Sequence, residues 1–431
     1  MRILFLNPVG AVGGAERCLL TMLAALRRDR PGASLHLICC TDGPLIGQAR
    51  ALGVETRVVS MPPALSRMGD SALKRRRGRI GALFALMARA AWALPAARRY
   101  LRALRDAVRA VRPTLIHSNG VKTHLLCAAL RPRCPVVWHL HDFVGARPVV
   151  SRLLQRVAGS ASSAVAVSRA VAADAAGVLG GDVPVRVLHN AVDLERFAPA
   201  GGDGSRLDAL AGLAPTSADI VRVGLVATYA KWKGHDMFLD AAAGLADHFT
   251  PDRLRFYIVG GPIYQTSGSQ WTEPELRQRA REAGLDNGRV GFVPFCHEMP
   301  DVYRGLDIVV HASVQPEPFG LTIAEAMSCG RAVIVSRAGG AAELFQDGHD
   351  ALGVTPGDVQ GLADTIGRLV ADGELRHTLA RNARQSAVRR FGDERLAGEL
   401  AAVYDHVLAT EAPAPVDPPR AESHRSIAPE V

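Results

Sequence analysis

The chain has 431 residues, 48% of them hydrophobic and only 5% aromatic, and a formal net charge of +9. Such a length exceeds one ordinary core and suits two domains, and a wealth of Ala, Val, Leu and Gly favours buried parallel strands over an antiparallel sandwich. Residues 1–200 hold 29 Lys and Arg against 11 Asp and Glu, while the remainder hold 22 against 31.

The basic half points to an anionic partner such as a lipid surface or a phosphorylated acceptor. No nucleic-acid partner is expected, because zinc-finger spacing, an aromatic RNP-like pattern and a helix-turn-helix signature are all lacking. Seven cysteines without a C-x-x-C pair or neighbouring histidines at ligand spacing read as reduced thiols of a cytoplasmic protein, with no metal site. The opening MRILFLNPVG has too short an apolar core for a cleavable signal, and no apolar run of about 20 residues suggests a transmembrane helix.

In chain order, residues 2–8 (RILFLNP) read as a strand, Gly10, Gly13 and Gly14 as a glycine loop, and 15–26 as a helix. That is the opening unit of a doubly wound α/β domain. Further strands are expected at 34–40, 56–60, 114–117, 135–140 and 164–167. The stretch 198–217, rich in Pro, Gly and Ser, marks the boundary. The second half repeats the scheme, with strands at 221–227, 253–259, 290–292, 308–311 and 332–336. Helices are expected at 236–246, 273–283, 299–306, 321–328, 340–345 and 393–408. Alternation of this kind implies two parallel sheets covered on both faces. The Pro- and Ala-rich tail 411–431 reads as disordered.

The most specific stretch is Glu317-Pro-Phe-Gly-Leu-Thr-Ile-Ala-Glu325. Pro316 and Pro318 enforce an extended loop, and Gly320 permits a close turn into a helix beginning at Leu321. The unpaired N–H groups of that first turn face the carboxyl end of the sheet, where a diphosphate would be held. Glu325, one turn inside, can accept two hydrogen bonds from a vicinal diol such as a ribose. Glu317 sits toward the sugar side of the phosphates.

The surrounding run VVHASVQPEPFGLTIAEAMSCGRAVIVSRAGGAAEL resembles the retaining glycosyltransferases of family 4 (glycosyl transferases group 1). So do VGAVGGAER near the start, WHLHD at 138–142, HNAVDLERF at 189–197 (Ala191 standing where Gly is usual) and Trp232-Lys233-Gly234. These matches span about residues 1–410. The resemblance implies a GT-B fold, an α/β architecture of two Rossmann-like doubly wound parallel-sheet domains facing a central cleft. Residues 1–198 would form the acceptor domain and 199–392 the nucleotide-sugar donor domain, with the final helix, about 393–410, packing back on the first.

Carried over residue by residue, the resemblance gives Glu317, His141 and Lys233 the catalytic roles. Glu317 and His141 would contact the donor sugar, and Lys233 would neutralise the departing diphosphate. Glu325 would bind the ribose. The backbone of Gly320, Leu321 and Thr322 would cradle the phosphates, and Gly13 and Gly14 would let the backbone approach the sugar. Val293 and Phe295 would flank the base. One departure is evident: the family's Gly-Arg pair ahead of its Lys is replaced here by Ala227 and Thr228. Either Lys231 substitutes for the Arg, or the site relies on Lys233 and the helix N-terminus.

His117, at a strand end, is a candidate contact for the acceptor, with a structural role as the alternative. His189 is read as shaping the interdomain crossover, and His311 as packing at a strand end. Gly339 and Gly340 either bring a helix N-terminus near a ligand or form a plain strand–helix turn. The stretch 74–112 opens with Lys74-Arg75-Arg76-Arg77 and continues with Arg98, Arg99, Arg102, Arg105, Arg109 and Arg112. It reads as a helix lying on an anionic membrane with Phe84 and Trp92 buried, or else as a Rossmann helix with a solvated basic face.

The expected activity is retaining transfer of a sugar from a UDP- or GDP-linked donor to a glycan or lipid-linked acceptor, in cell-surface polysaccharide or glycolipid synthesis at the inner face of the cytoplasmic membrane. No cofactor beyond the nucleotide-sugar co-substrate is expected, and no D-x-D metal motif occurs at a strand end. The alternatives are a nucleotide-sugar epimerase of the same fold and a non-catalytic scaffold with a degenerate donor site.

Overall fold

The computed structural model describes residues 1–66, 79–181, 183–202, 204–216, 219–262, 268–285, 288–296 and 298–410. The Lys74–Arg77 cluster, the side chains of Phe84 and Trp92, and the tail from Glu411 lie outside what it describes.

Two parallel sheets form. The first contains β1 (Arg2–Asn7), β2 (Ser34–Cys39), β3 (Glu55–Val58), β4 (Leu115–Ser118), β5 (Val136–Leu140), β6 (Ser163–Ala166) and β7 (Val185–Val187), in the order β3-β2-β1-β4-β5-β6-β7. The second contains β8 (Val221–Val226), β9 (Leu254–Gly260), β10 (Val290–Pro294), β11 (Ile308–His311), β12 (Ala332–Ser336) and β13 (Leu352–Val354), in the order β10-β9-β8-β11-β12-β13. Strand order reverses beside β1 in one sheet and beside β8 in the other. Loops leaving β1 and β4, or β8 and β11, therefore diverge and open a crevice at the carboxyl ends of the strands.

The inner strands are buried on both faces because their alternate residues serve different cores. Leu4 and Leu6 of β1 join Trp138 and Ile116 on one side of the sheet. Ile3 and Phe5 join Leu19, Met22 and Leu23 on the other. The edge strands β7 and β13, three residues each, are too short to show a period and were not anticipated. Nor were the helices Val359–Ala371 and Gly373–Phe391, whose first turns are capped by Asp358 and Asp372.

Residues 79–111 form one helix with Pro95 inside it. Along its described side chains, Tyr100, Leu104, Ala107 and Val108 are buried, whereas Arg98, Arg99, Arg102 and Arg109 are exposed. This part is a Rossmann helix with a solvated basic face. Among the described residues, no helix is long and apolar enough to cross a membrane.

The chain crosses between the sheets twice, and the crossings lie side by side: the Val192 N–H donates to the Phe391 carbonyl at 2.7 Å. After the second crossing, helix Asp393–Thr410 buries Leu396, Leu400, Val403, Tyr404 and Val407 in the cluster that holds Leu19 and Met22. Arg28–Asp393 and Arg30–Asp405 pairs, each 2.6 Å, flank this packing. The two halves also meet at Glu343, whose carboxylate accepts from the N–H groups of Arg169 and Ala170 at 2.9 and 2.7 Å. A residue of the second half thus caps a helix of the first.

The segment after the first crossing is tied down by charge. Asp208, on the short helix Gly204–Leu210, is fully buried. It accepts from Arg255 at 2.8 Å, Arg222 at 3.2 Å, Thr216 at 3.0 Å and the Tyr257 hydroxyl. Removing the carboxylate would leave two guanidinium groups buried without their counter-charge. Asp208→Ala is therefore expected to cost about 3–5 kcal/mol in urea unfolding. A loss below about 1 kcal/mol would show that the pair is solvated and not structural.

Candidate functional site

The segment after β8 turns through Lys231–Lys233 into helix His235–Ala246. Gly234 makes the turn at φ 74°, and a Cβ there would lie 2.0 Å from the Ala312 carbonyl oxygen. No other residue type fits that gap, so this glycine presses the Lys233 turn against the end of β11. A hydrogen bond of 2.8 Å from the Val314 N–H to the Trp232 carbonyl completes the contact.

Across that contact, the Lys233 ammonium donates to Glu317 Oε2. The same oxygen accepts from His311 Nε2 at 3.3 Å and Ser313 Oγ at 3.2 Å. His311, expected only to pack at a strand end, thus touches the key carboxylate. Glu317 is 8% exposed. Burial alone would raise its pKa, but the charge of Lys233 and the His311 bond outweigh it and hold the carboxyl down at about 2. All three donors engage Oε2, so Oε1 takes none of these bonds.

Gly320, at φ 103°, opens helix Leu321–Ser328. The N–H groups of Leu321 and Thr322 have no carbonyl one turn behind them and head the helix at the crevice. Glu325, one turn on, is 6% exposed. Its Oε2 accepts from the Tyr303 hydroxyl at 2.7 Å. Burial raises its pKa, opposed by Arg17 and by the Tyr303 bond. Arg17 belongs to the first domain and reaches across: Nη1 lies 3.9 Å from Glu325 Oε1. The same guanidinium stands 5.9 Å from the centroid of the Phe295 ring. Phe295 is exposed, while Val293, within β10, is fully buried.

On the other wall, a chain of amides fixes the loop after β1. Glu16 accepts from the Gly13 N–H at 3.1 Å and from Asn7 Nδ2 at 3.2 Å. Asn119 Nδ2 donates to Asn7 Oδ1 at 2.7 Å, and Asn119 Oδ1 pairs with His141 Nε2 at 2.8 Å. An amide oxygen only accepts, so His141 carries its proton on Nε2 and keeps Nδ1 as a bare acceptor. Burial lowers its pKa to about 4, so the ring is neutral at physiological pH. Gly13 is buried and Gly14 is exposed, with open space where a Cβ would stand.

Several candidates bond to neither glutamate carboxylate, and most have other partners. His117 is fully buried, with Nε2 3.2 Å from His139 and Nδ1 2.8 Å from the Tyr404 hydroxyl. Both ring nitrogens face the interior, so His117 has a structural role, and the expected acceptor contact is corrected. Lys231 turns its ammonium over the Trp271 ring at 4.6 Å, while Lys233 serves Glu317. Thr228 is half-buried just after β8 and offers a hydroxyl but no charge. Gly340 is packed beneath the Pro318 carbonyl and Ser168, and leads only a short turn, Gly340–Glu343. His189 Nε2 lies 3.5 Å from Glu343 at the crossover. Among the described residues, no cluster of His, Cys, Asp and Glu could hold a metal ion.

Sequence reasoning did not anticipate Arg17, Tyr303 or Ser313. The GGAER run contained Arg17, but nothing in it signalled a partner more than 300 residues away.

The Lys233–Glu317 pair yields a pH test. A carboxyl held at about 2 instead of 4.5 contributes stability that is complete above about pH 4.5 and is lost as the pH falls toward 2. Lys233→Met strands the carboxylate, and the variant is expected to lose about 3 kcal/mol at pH 7. That deficit should shrink as the pH falls toward 4.5, because a proton on Glu317 relieves the burial cost in the variant. Urea unfolding across this range measures it, and a deficit independent of pH would contradict the assignment.

Comparison with known proteins follows the same geometry. Residues 12–196 match a family model described as Glycosyltransferase Family 4, and 218–372 match one described as Glycosyl transferases group 1. The D-inositol 3-phosphate glycosyltransferase of Salinispora arenicola is 34% identical over 238 residues, 53% of this chain and 51% of that one. The chain thus spans about half the length of the curated relatives it matches. Anabaena HepE in complex with UDP-glucose is 26% identical, with a TM-score of 0.74 over 94% of this chain and all of that one. A sucrose-phosphate synthase from Thermosynechococcus elongatus shares the fold at 19% identity, with a TM-score of 0.74 over 95% of this chain and all of that one. Two family models in tandem, laid over two switch-point sheets, place the chain in the family 4 (group 1) glycosyltransferases of GT-B fold.

Proposed function

We propose that the protein transfers a sugar, with retention, from a nucleotide-diphosphate donor to a hydroxyl of a glycan or lipid-linked acceptor. The observation that carries this reading is the pair of buried glutamates, Glu317 and Glu325, flanking one helix N-terminus with Lys233 bound to the first. Solved complexes of Anabaena HepE with UDP and with UDP-glucose support a uridine-linked donor, GDP being the other candidate.

In this reading the diphosphate lies on the N–H groups of Leu321 and Thr322, with Gly320 allowing its close approach. Glu325 Oε1 accepts from the ribose diol. Phe295 and the backbone of Val293 flank the base. Glu317 Oε1 and His141 Nδ1, both acceptors, receive hydroxyls of the donor sugar, and the Gly13–Gly14 backbone lies beside it. The acceptor oxygen bonds to the anomeric carbon as the bond from that carbon to the phosphate oxygen breaks. The acceptor proton passes to the leaving diphosphate. Lys233 and the helix N-terminus stabilise the charge that develops there, without a divalent ion. The basic first domain supports an acceptor carrying phosphate, and work at the inner face of the cytoplasmic membrane on surface polysaccharide or glycolipid.

Thermal-shift titration with UDP, GDP, ADP and their sugar conjugates in EDTA tests the reading. One nucleotide should raise Tm, and Glu325→Ala should abolish the rise. Glu317→Gln should keep nucleotide affinity within a few-fold while slowing turnover by roughly 10²–10³. No shift with any nucleotide would favour the scaffold alternative, and sugar-nucleotide conversion without acceptor would favour an epimerase.

A further inference from the structure

Arg17 is the described side chain that joins the two walls of the crevice at the helix start. It rises from the first turns of helix Gly14–Asp29, yet its guanidinium meets Glu325 and Phe295 of the other sheet. Its distance to Glu325, 3.9 Å, is that of an ion pair and too long for a hydrogen bond. The five donors of Arg17 therefore remain available to a ligand that comes between them.

Charge balance shows what such a ligand would be. The Lys233 ammonium is matched by Glu317, Lys231 lies on Trp271 near Glu275, and Thr228 is neutral. Glu325 adds a negative charge beside the place where an anion would sit. Arg17 is the cation that offsets it: it is the leading influence opposing the burial of that carboxylate, ahead of Arg196 and Tyr303. The oxygens of Glu325 are also unequal. Tyr303 donates to Oε2, whereas Oε1, the atom that Arg17 faces, takes no hydrogen bond from it and is the one we assign to a diol.

We propose that Arg17 binds the diphosphate of the donor from the first domain, exchanging its pairing with Glu325 for the phosphate oxygens when the ribose takes Oε1. The inference rests on the donor-site reading above. It makes Arg17 the guanidinium that position 228 lacks, delivered from the opposite wall. The donor then bridges the two domains through one side chain, so nucleotide occupancy and closure of the crevice are coupled.

The test compares wild type with Arg17→Gln, Arg17→Lys and the double variant Arg17→Gln/Thr228→Arg. The probes are whichever of UDP, GDP or ADP the wild type binds tightest, together with the matching nucleoside. Arg17→Gln should weaken the diphosphate roughly tenfold and leave the nucleoside within about twofold. Arg17→Lys should fall between, Thr228→Arg should restore most of the loss, and the salt dependence of diphosphate binding should become shallower in Arg17→Gln. An equal loss for nucleoside and diphosphate would mark Arg17 as merely structural, and no loss would also overturn the inference. Glu325→Ala separates the two claims. If it abolishes nucleotide binding while Arg17→Gln does not weaken it, only this inference fails. If Glu325→Ala has no effect, or the wild type binds no nucleotide, the donor-site reading fails as well.

Discussion

A carboxylate that stays ionised inside a protein dictates the arrangement of whatever surrounds it, and Glu317 is that group here. Its burial is tolerated because Lys233, His311 and Ser313 converge on one oxygen. Meeting that demand requires the turn after β8 to touch the end of β11, and only Gly234 allows the approach. It also requires the loop carrying Glu317 to run extended, which the flanking prolines enforce. The start of helix Leu321–Ser328, and with it Glu325, then falls into place as a consequence of the same constraint. Local sequence and long-range packing agree on one geometry, which is the mark of a specified site.

The facing wall is organised by a hydrogen-bonded line anchored on the Glu16 carboxylate. The line from Glu16 through Asn7 and Asn119 to His141 is a run of donors and acceptors with little freedom to reorient. It sets the tautomer of a histidine without charging it. One wall therefore offers fixed charge and the other a directed lone pair, and the crevice between them is polar on both sides for different reasons.

How much of this was legible beforehand depended on sequence distance. The two sheets, most strands and helix Leu321–Ser328 showed in periodicity, since buried parallel strands read as short apolar runs. Glu317 and Glu325 stood out because a single loop and helix carry both. Lys233 was visible through its Trp-Lys-Gly context. Arg17, Tyr303 and Ser313 were not, because each meets its glutamate through the fold alone. His117 shows the converse limit: its place at the end of β4 is readable, but whether the ring turns outward or toward helix Asp393–Thr410 is decided by Tyr404, 287 residues away. The edge strands β7 and β13 left no pattern because three residues complete barely one period.

The return crossing beside Val192 and Phe391 has a consequence for biosynthesis. The first domain is not finished when its own sheet has left the ribosome. The surface over Leu19, Met22 and Leu23 waits for Leu396, Leu400 and Tyr404, which are translated only after the entire second domain. Until then a nascent chain displays an apolar strip and a buried histidine short of a partner, a natural landing place for a chaperone. Folding of the first half is thus completed from the far end of the message, and a chain terminated before residue 393 would leave that apolar surface uncovered.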